Sequence, residues 1–194
     1  MKNVSKSTNL TVKIGLLSAI ALILMYFEFP VLPAYSFLKI DLSDIPALIG
    51  AFAFGPFAGI IIEAIKNLLV ILTKGTQTGG VGELANFVVG CAFVGCAGII
   101  YKRKKTRTMA VIALVSATIF MAIAGVIANY FVFVPLYFKG APSSYINAYM
   151  IYGVIPLNLI KGIIISVVTL VIYKRISVLI NSEVLNSKKL SSEQ

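Results

Sequence analysis

The sequence predicts an all-α integral membrane protein of six transmembrane helices with both termini in the cytoplasm. Three observations carry this. Of 194 residues, 59% are hydrophobic and only 12% charged, with a mean hydropathy of +0.96; a soluble domain averages roughly 45–50% apolar and about 25% charged. Apolar runs longer than the ~18 residues that mark a span recur along the chain, which favours helices over a barrel. The net charge is +10, but Lys and Arg gather in short clusters at the ends of apolar runs, a pattern of membrane orientation rather than of nucleic-acid binding.

Six apolar segments follow in order. The first covers 12–29 and ends at Pro30 and Pro33; it follows a basic cytoplasmic stretch, 1–11, and no small-residue cleavage site succeeds it, so it reads as an uncleaved span. The second covers 44–54 and is followed by Gly55–Pro56. The third covers 57–72, before the turn-rich "KGTQTGGVG". The fourth covers 83–101, closed by "KRKKTR"; the fifth covers 109–134, ending at Pro135; the sixth covers 148–173, closed by Lys174 and Arg175. The membrane domain is thus 12–175. A polar cytoplasmic tail, 176–194, follows, expected to be disordered from 181 onward.

The second segment is short. Eleven residues make about 17 Å of helix, against a ~30 Å hydrocarbon core, and 44–72 can also be drawn as one helix kinked at Pro56. Charge decides between them. With six spans, 102–107 lands on the same side as Lys2, Lys6, Lys13, Lys174 and Arg175; with five it lands outside, against the positive-inside rule. Extended chain at 36–43 then completes the crossing, which requires cover by protein or a cavity near the outer face.

Ionisable groups within spans cost about 2.5–3.5 kcal/mol each on insertion scales, so those present need a reason. Glu63, Lys66 and Asn67 share a helix face by offsets of three and four, as a self-satisfied ion pair, a polar floor, or both. Glu83 and Asn86 open the fourth helix; Glu83 either complements the helix dipole or faces a ligand. Ser43 or Asp44 can cap the second helix, whereas Asp41 is needed by no cap. Asn129 precedes the aromatics Tyr130, Phe131, Phe133 and Tyr137, which suit an interface belt or packing on a flat ligand. Asn158 and Lys161 share a face. Lys161 lies about 20 Å along the helix from Lys174, too far to snorkel, and so needs a cavity or a carboxylate such as Glu63 or Glu83. Gly15 and Ala19 form a small-xxx-small pair suited to close helix contact. Cys91 and Cys96 point about 140° apart on a helix and read as free thiols.

Absences narrow the chemistry. The chain has no histidine, the commonest metal ligand and general base. It contains no GxxxxGK[ST], GxSxG or HExxH, and no ladder of arginines like a voltage sensor. An intramembrane enzyme using Glu63 or Glu83 and a self-sufficient secondary transporter are the rival classes.

Four stretches, "DLSDIPALIGAFAFGPFAGIIIEAIKNLL", "GELANFVVG", "NYFVFVPLY" and "IPLNLIKGI", in this order and spacing, resemble the riboflavin-specific S components (RibU-type) of energy-coupling-factor (ECF) transporters. The resemblance spans about 12–175. It implies one riboflavin bound near the outer face as transported ligand, with no cofactor, under the loop joining the first two helices. It also implies a membrane scaffold subunit and two ATPase subunits as partners. By the same resemblance, Asn129, Asn158 and Lys161 are polar ligands of the flavin, and the loop "LPAYSFLKIDLSD", with Leu38 and Asp41, is lid and wall. Glu83, Lys66 and Asn67 complete the candidate set, while Gly15 and Ala19 meet the scaffold. An S component for another vitamin is the nearest alternative.

Overall fold

The computed structural model describes residues 6–172 except 36 and 77. The expected tail at 176–194, Lys174 and Arg175 lie outside the described residues. Among the described residues the chain forms six α-helices, α1 (Lys6–Tyr26), α2 (Asp44–Phe54), α3 (Pro56–Lys74), α4 (Val81–Arg103), α5 (Arg107–Tyr137) and α6 (Ser143–Ile172), and a short 3-10 turn at Pro33–Tyr35. Five are long and apolar enough to cross a membrane; α2, at 11 residues, is not.

The short α2 is the inner helix. It packs on α1, α3 and α4, and eight of its eleven residues are buried, as an all-round apolar helix requires. It is not the first half of a kinked helix. Gly55 takes φ +103°, open only to glycine, and Pro56 opens α3 at its first turn, where a missing N–H costs nothing. Gly59 lets α3 approach α2 closely, since a Cβ there would stand 2.9 Å from the Ala47 carbonyl.

The first helix begins and ends earlier than the sequence predicts. Phe29 and Pro30 leave it to form β1 (Phe29–Pro30), paired antiparallel with β2 (Lys39–Ile40), Phe29 opposite Ile40. This two-residue ladder ties together the loop predicted to be extended.

The fifth helix does not end at Pro135. A π-helical turn, Asn129–Phe133, comes first, and the Val134 N–H reaches back to the Asn129 carbonyl. A proline inside an α-helix lacks its N–H and clashes with the carbonyl four residues back; the wider turn relieves both, and helix continues to Tyr137. The same device recurs in α6, where the π turn Met150–Val154 immediately precedes Ile155 and Pro156. π turns interrupt α-helices mostly at functional sites; the first supplies Asn129 and Phe133 to the cavity described below, and the Val154 carbonyl of the second accepts from Asn158, which lines it.

Candidate functional site

A cavity of about 420 Å³ lies at the end of the bundle opposite the basic 102–107 turn, within the range of small-molecule sites. Its walls follow from helix periodicity. α4 presents Gly82, Ala85, Asn86 and Val89, at offsets of three and four; α5 presents Asn129, Phe133 and Tyr137, four apart; α6 presents Leu157, Asn158 and Lys161. Phe37, Leu38 and Lys39 close one side, with Thr78 and Phe138 at the rim.

The aromatic cluster divides. Phe133 and Tyr137 stack at 4.5 Å and line the cavity, and Phe37 stacks on Phe133 at 6.0 Å. Tyr130 and Phe131 instead face outward, Phe131 at 71% exposure. The Tyr137 hydroxyl donates to the Thr78 carbonyl and bridges the rim.

The amides are held by their own helices. Asn129 donates to the Gly125 carbonyl at 2.8 Å and accepts from the buried Tyr149 hydroxyl at 2.7 Å. Asn158 donates to the Val154 carbonyl at 2.8 Å. The absence of a side chain at Gly125 makes room for the Asn158 amide, which a Cβ there would strike. Asn86 Oδ1 is buried and accepts no hydrogen bond from the protein.

Beneath the cavity lies a chain of buried charges. Lys161 Nζ lies 3.0 Å from Asp44 Oδ2 and 3.4 Å from Asp41 Oδ2. Asp44 Oδ1 pairs with Lys66, whose ammonium also meets Glu63 Oε2 at 2.8 Å and donates to Ser43 Oγ at 2.8 Å. Lys66, Asp44 and Glu63 are fully buried. Buried charges persist only when paired, and here α2, α3 and α6 each contribute.

Four expectations change here. Lys161 pairs with Asp41 and Asp44, not with Glu63 or Glu83. Neither Ser43 nor Asp44 makes a side-chain cap on α2: Asp44 is drawn to the two lysines instead. Lys66 and Asn67 do not line the cavity; Lys66 is spent on the carboxylates, and Asn67 donates to the Glu63 carbonyl at 2.8 Å. Glu83 is likewise off the cavity wall. Its Oε2 accepts from Thr76 and Thr78 at 2.9 and 3.2 Å, which folds the loop before α4. Leu38, Asn129, Asn158 and Lys161 are brought together on the lining, while Asp41 stands behind Lys161. Gly15 and Ala19 sit on the outward face of α1, with open space around Gly15.

Tyr149, Phe37 and Gly125 carry no prior signal, since nothing local marks an aromatic or a glycine as the neighbour of a distant amide. Glu28 is a further loop anchor, pairing with Lys39 at 2.9 Å and Lys74 at 2.5 Å. Burial alone would raise its pKa; Lys74 and Lys39 outweigh that and hold it below its ordinary value.

Fold and cavity together define a helical membrane protein built to hold one small, largely apolar ligand. The family described as the substrate-specific component of ECF transporters matches residues 9–173, and the chain belongs to it; its members are transporter subunits, not enzymes. The riboflavin transporter RibU of Staphylococcus aureus is 42% identical over 172 residues, covering 86% of this chain and 89% of that protein. The riboflavin transporter FmnP of Bacillus subtilis is 39% identical over 170 residues, covering 84% and 88%. A solved S component of a bacterial ECF transporter superposes with a TM-score of 0.76 at 40% identity, covering 89% of this chain and 97% of that one.

Proposed function

We propose that this chain captures riboflavin from outside the cell for ATP-driven uptake, working in the cell membrane with an ECF scaffold subunit and two ATPase subunits. The observation that carries the reading is the cavity, with aromatic and aliphatic walls and a cluster of amides and one ammonium. Riboflavin is flat, mostly apolar and neutral, with an imide edge and a polyol chain, and such walls with a few placed polar groups match it. Both cations that line the cavity are paired, Lys161 with Asp41 and Asp44, and Lys39 with Glu28. That pairing favours a neutral ligand over a phosphorylated one.

Six crossings with cytoplasmic termini put the exposed cluster Lys102, Arg103, Lys104, Lys105 and Arg107 inside and the cavity at the outer face. The short α2 makes its crossing together with the paired strands at 29–30 and 39–40. Gly15 and Ala19, on the open face of α1, offer the scaffold a close helix contact.

The test is the visible absorption of detergent-purified protein and flavin fluorescence on titration. A yellow protein that quenches riboflavin supports the reading. Colourless protein with no quenching defeats it and leaves another vitamin as ligand. Uptake by liposomes holding this chain alone would instead favour a self-sufficient transporter. A Gly125→Ala variant sharpens the test: its methyl pushes the Asn158 amide off the Val154 carbonyl, so riboflavin affinity falls and stability drops by about 1–3 kcal/mol from the crowding.

A further inference from the structure

Lys161 reaches the cavity on a flexible four-carbon stem, so something has to aim its ammonium. Two carboxylates do so, from one side. Asp44 approaches on α2, and Asp41 approaches from the segment that follows the cavity-lining residues 37–39. Asp41 is only 3% exposed. Its Oδ1 accepts the Ser43 N–H at 2.7 Å, and its Oδ2 accepts from Lys161, 120 residues away. Ile40, its neighbour in β2, is fully buried. A carboxylate split in this way fixes the local turn with one oxygen and the ligand-facing lysine with the other.

We propose that Asp41 is a positioning residue for capture: it joins the closing segment 37–43 to the Lys161 ammonium, so that lifting the lid strips the lysine of one of its two carboxylates and leaves it held by Asp44 alone. This rests on the riboflavin reading and changes the role of Asp41 from ligand to latch. Separating Asp41 from Lys161 breaks one buried charge contact and leaves the ammonium with Asp44 as its remaining carboxylate, so opening the lid carries a cost that a loop held by ring contacts alone would not. The latch therefore acts on ligand release more than on entry, since most affinity differences at one site appear in the dissociation rate.

The experiment measures riboflavin release and association by fluorescence in wild type, D41N, D41E, K161M and D41N/K161M. Asparagine keeps the oxygen that accepts from Ser43 and turns an NH2 group, with neither charge nor acceptor, toward Lys161. D41N is expected to release riboflavin roughly tenfold faster, the order of one lost charged hydrogen bond, with association changed less. D41E is expected to recover part of the slow release. In the K161M background, D41N should add nothing. Equal acceleration by D41N in both backgrounds, or unchanged release in the wild-type background, overturns the latch. Hydrogen exchange of ligand-free protein approaches it from the lysine side: amides of 37–43 exchange faster in K161M than in wild type, and unchanged exchange also overturns it. Wild-type protein that fails to bind riboflavin defeats the functional reading itself. Binding with an unaltered D41N release defeats only the latch.

Discussion

Replacing Lys66 by methionine lowers stability by about 3–5 kcal/mol, the range for removing one partner of a buried ion pair. Methionine keeps most of the volume, so the loss reports charge and not a cavity. The Lys66 ammonium meets Asp44, Glu63 and the Ser43 hydroxyl, and none of the three charged side chains reaches solvent. Without it, two carboxylates on α2 and α3 face each other in a low-dielectric interior with Lys161 as the nearest cation left. For a chain of this size the thermal midpoint in detergent falls by roughly 10 °C or more. Glu63→Gln is the contrasting case. The cluster holds three carboxylates, Asp41, Asp44 and Glu63, against two ammonium groups, and Glu63 Oε1 has no partner. Neutralising Glu63 removes surplus negative charge, so its midpoint stays far closer to wild type. A Lys66→Met midpoint within two degrees or so of wild type would show that the cluster does not hold α2 in place.

Lys161→Ala and Asn158→Ala each weaken riboflavin binding by about 1–3 kcal/mol, the cost of leaving buried hydrogen-bonding groups unpaired. The two differ in a second readout. Lys161 also serves Asp41 and Asp44, so its loss lowers the thermal midpoint as well as the affinity. Asn158 bonds its own helix carbonyl at 2.8 Å and otherwise faces the cavity, so its loss acts mainly on binding. Fluorescence titration beside thermal unfolding separates the two effects. If neither variant shifts affinity beyond assay error, the ligand does not sit against α6.

The stretch 153–166 shows how much of the site was legible. Its apolar run, with Asn158 and Lys161 three apart, placed both on one face, and the depth of Lys161 required a cavity or carboxylates nearby. The structure supplies both, on the same ammonium. Pro156 was unexplained by the sequence. Its meaning lies in the π turn before it, matched by the turn before Pro135, because a helix can absorb a proline by widening as well as by ending. The bounds of α2 were legible from its apolar length and the Gly55–Pro56 break that follows it, but its central place was not, since an apolar helix reads the same against lipid as against protein.

By itself the sequence determined the class: a basic, histidine-free, helical membrane chain with a short second segment and a handful of polar residues too costly to be idle. Hydrophobic length, charge placement and helical periodicity are local properties, and each can be read within one turn or one span. The assignment of roles among those polar residues was left to the tertiary structure. It turned Lys66 and Glu63 inward on Asp44, spent Glu83 on a loop, and set Asp41 behind Lys161. The reason is that a charge buried in a bundle is stabilised by whichever opposite charge the packing brings within about 3 Å. Those partners come from helices far apart in the chain, Asp41 and Lys161 being separated by 120 residues, a distance over which local pattern carries no information.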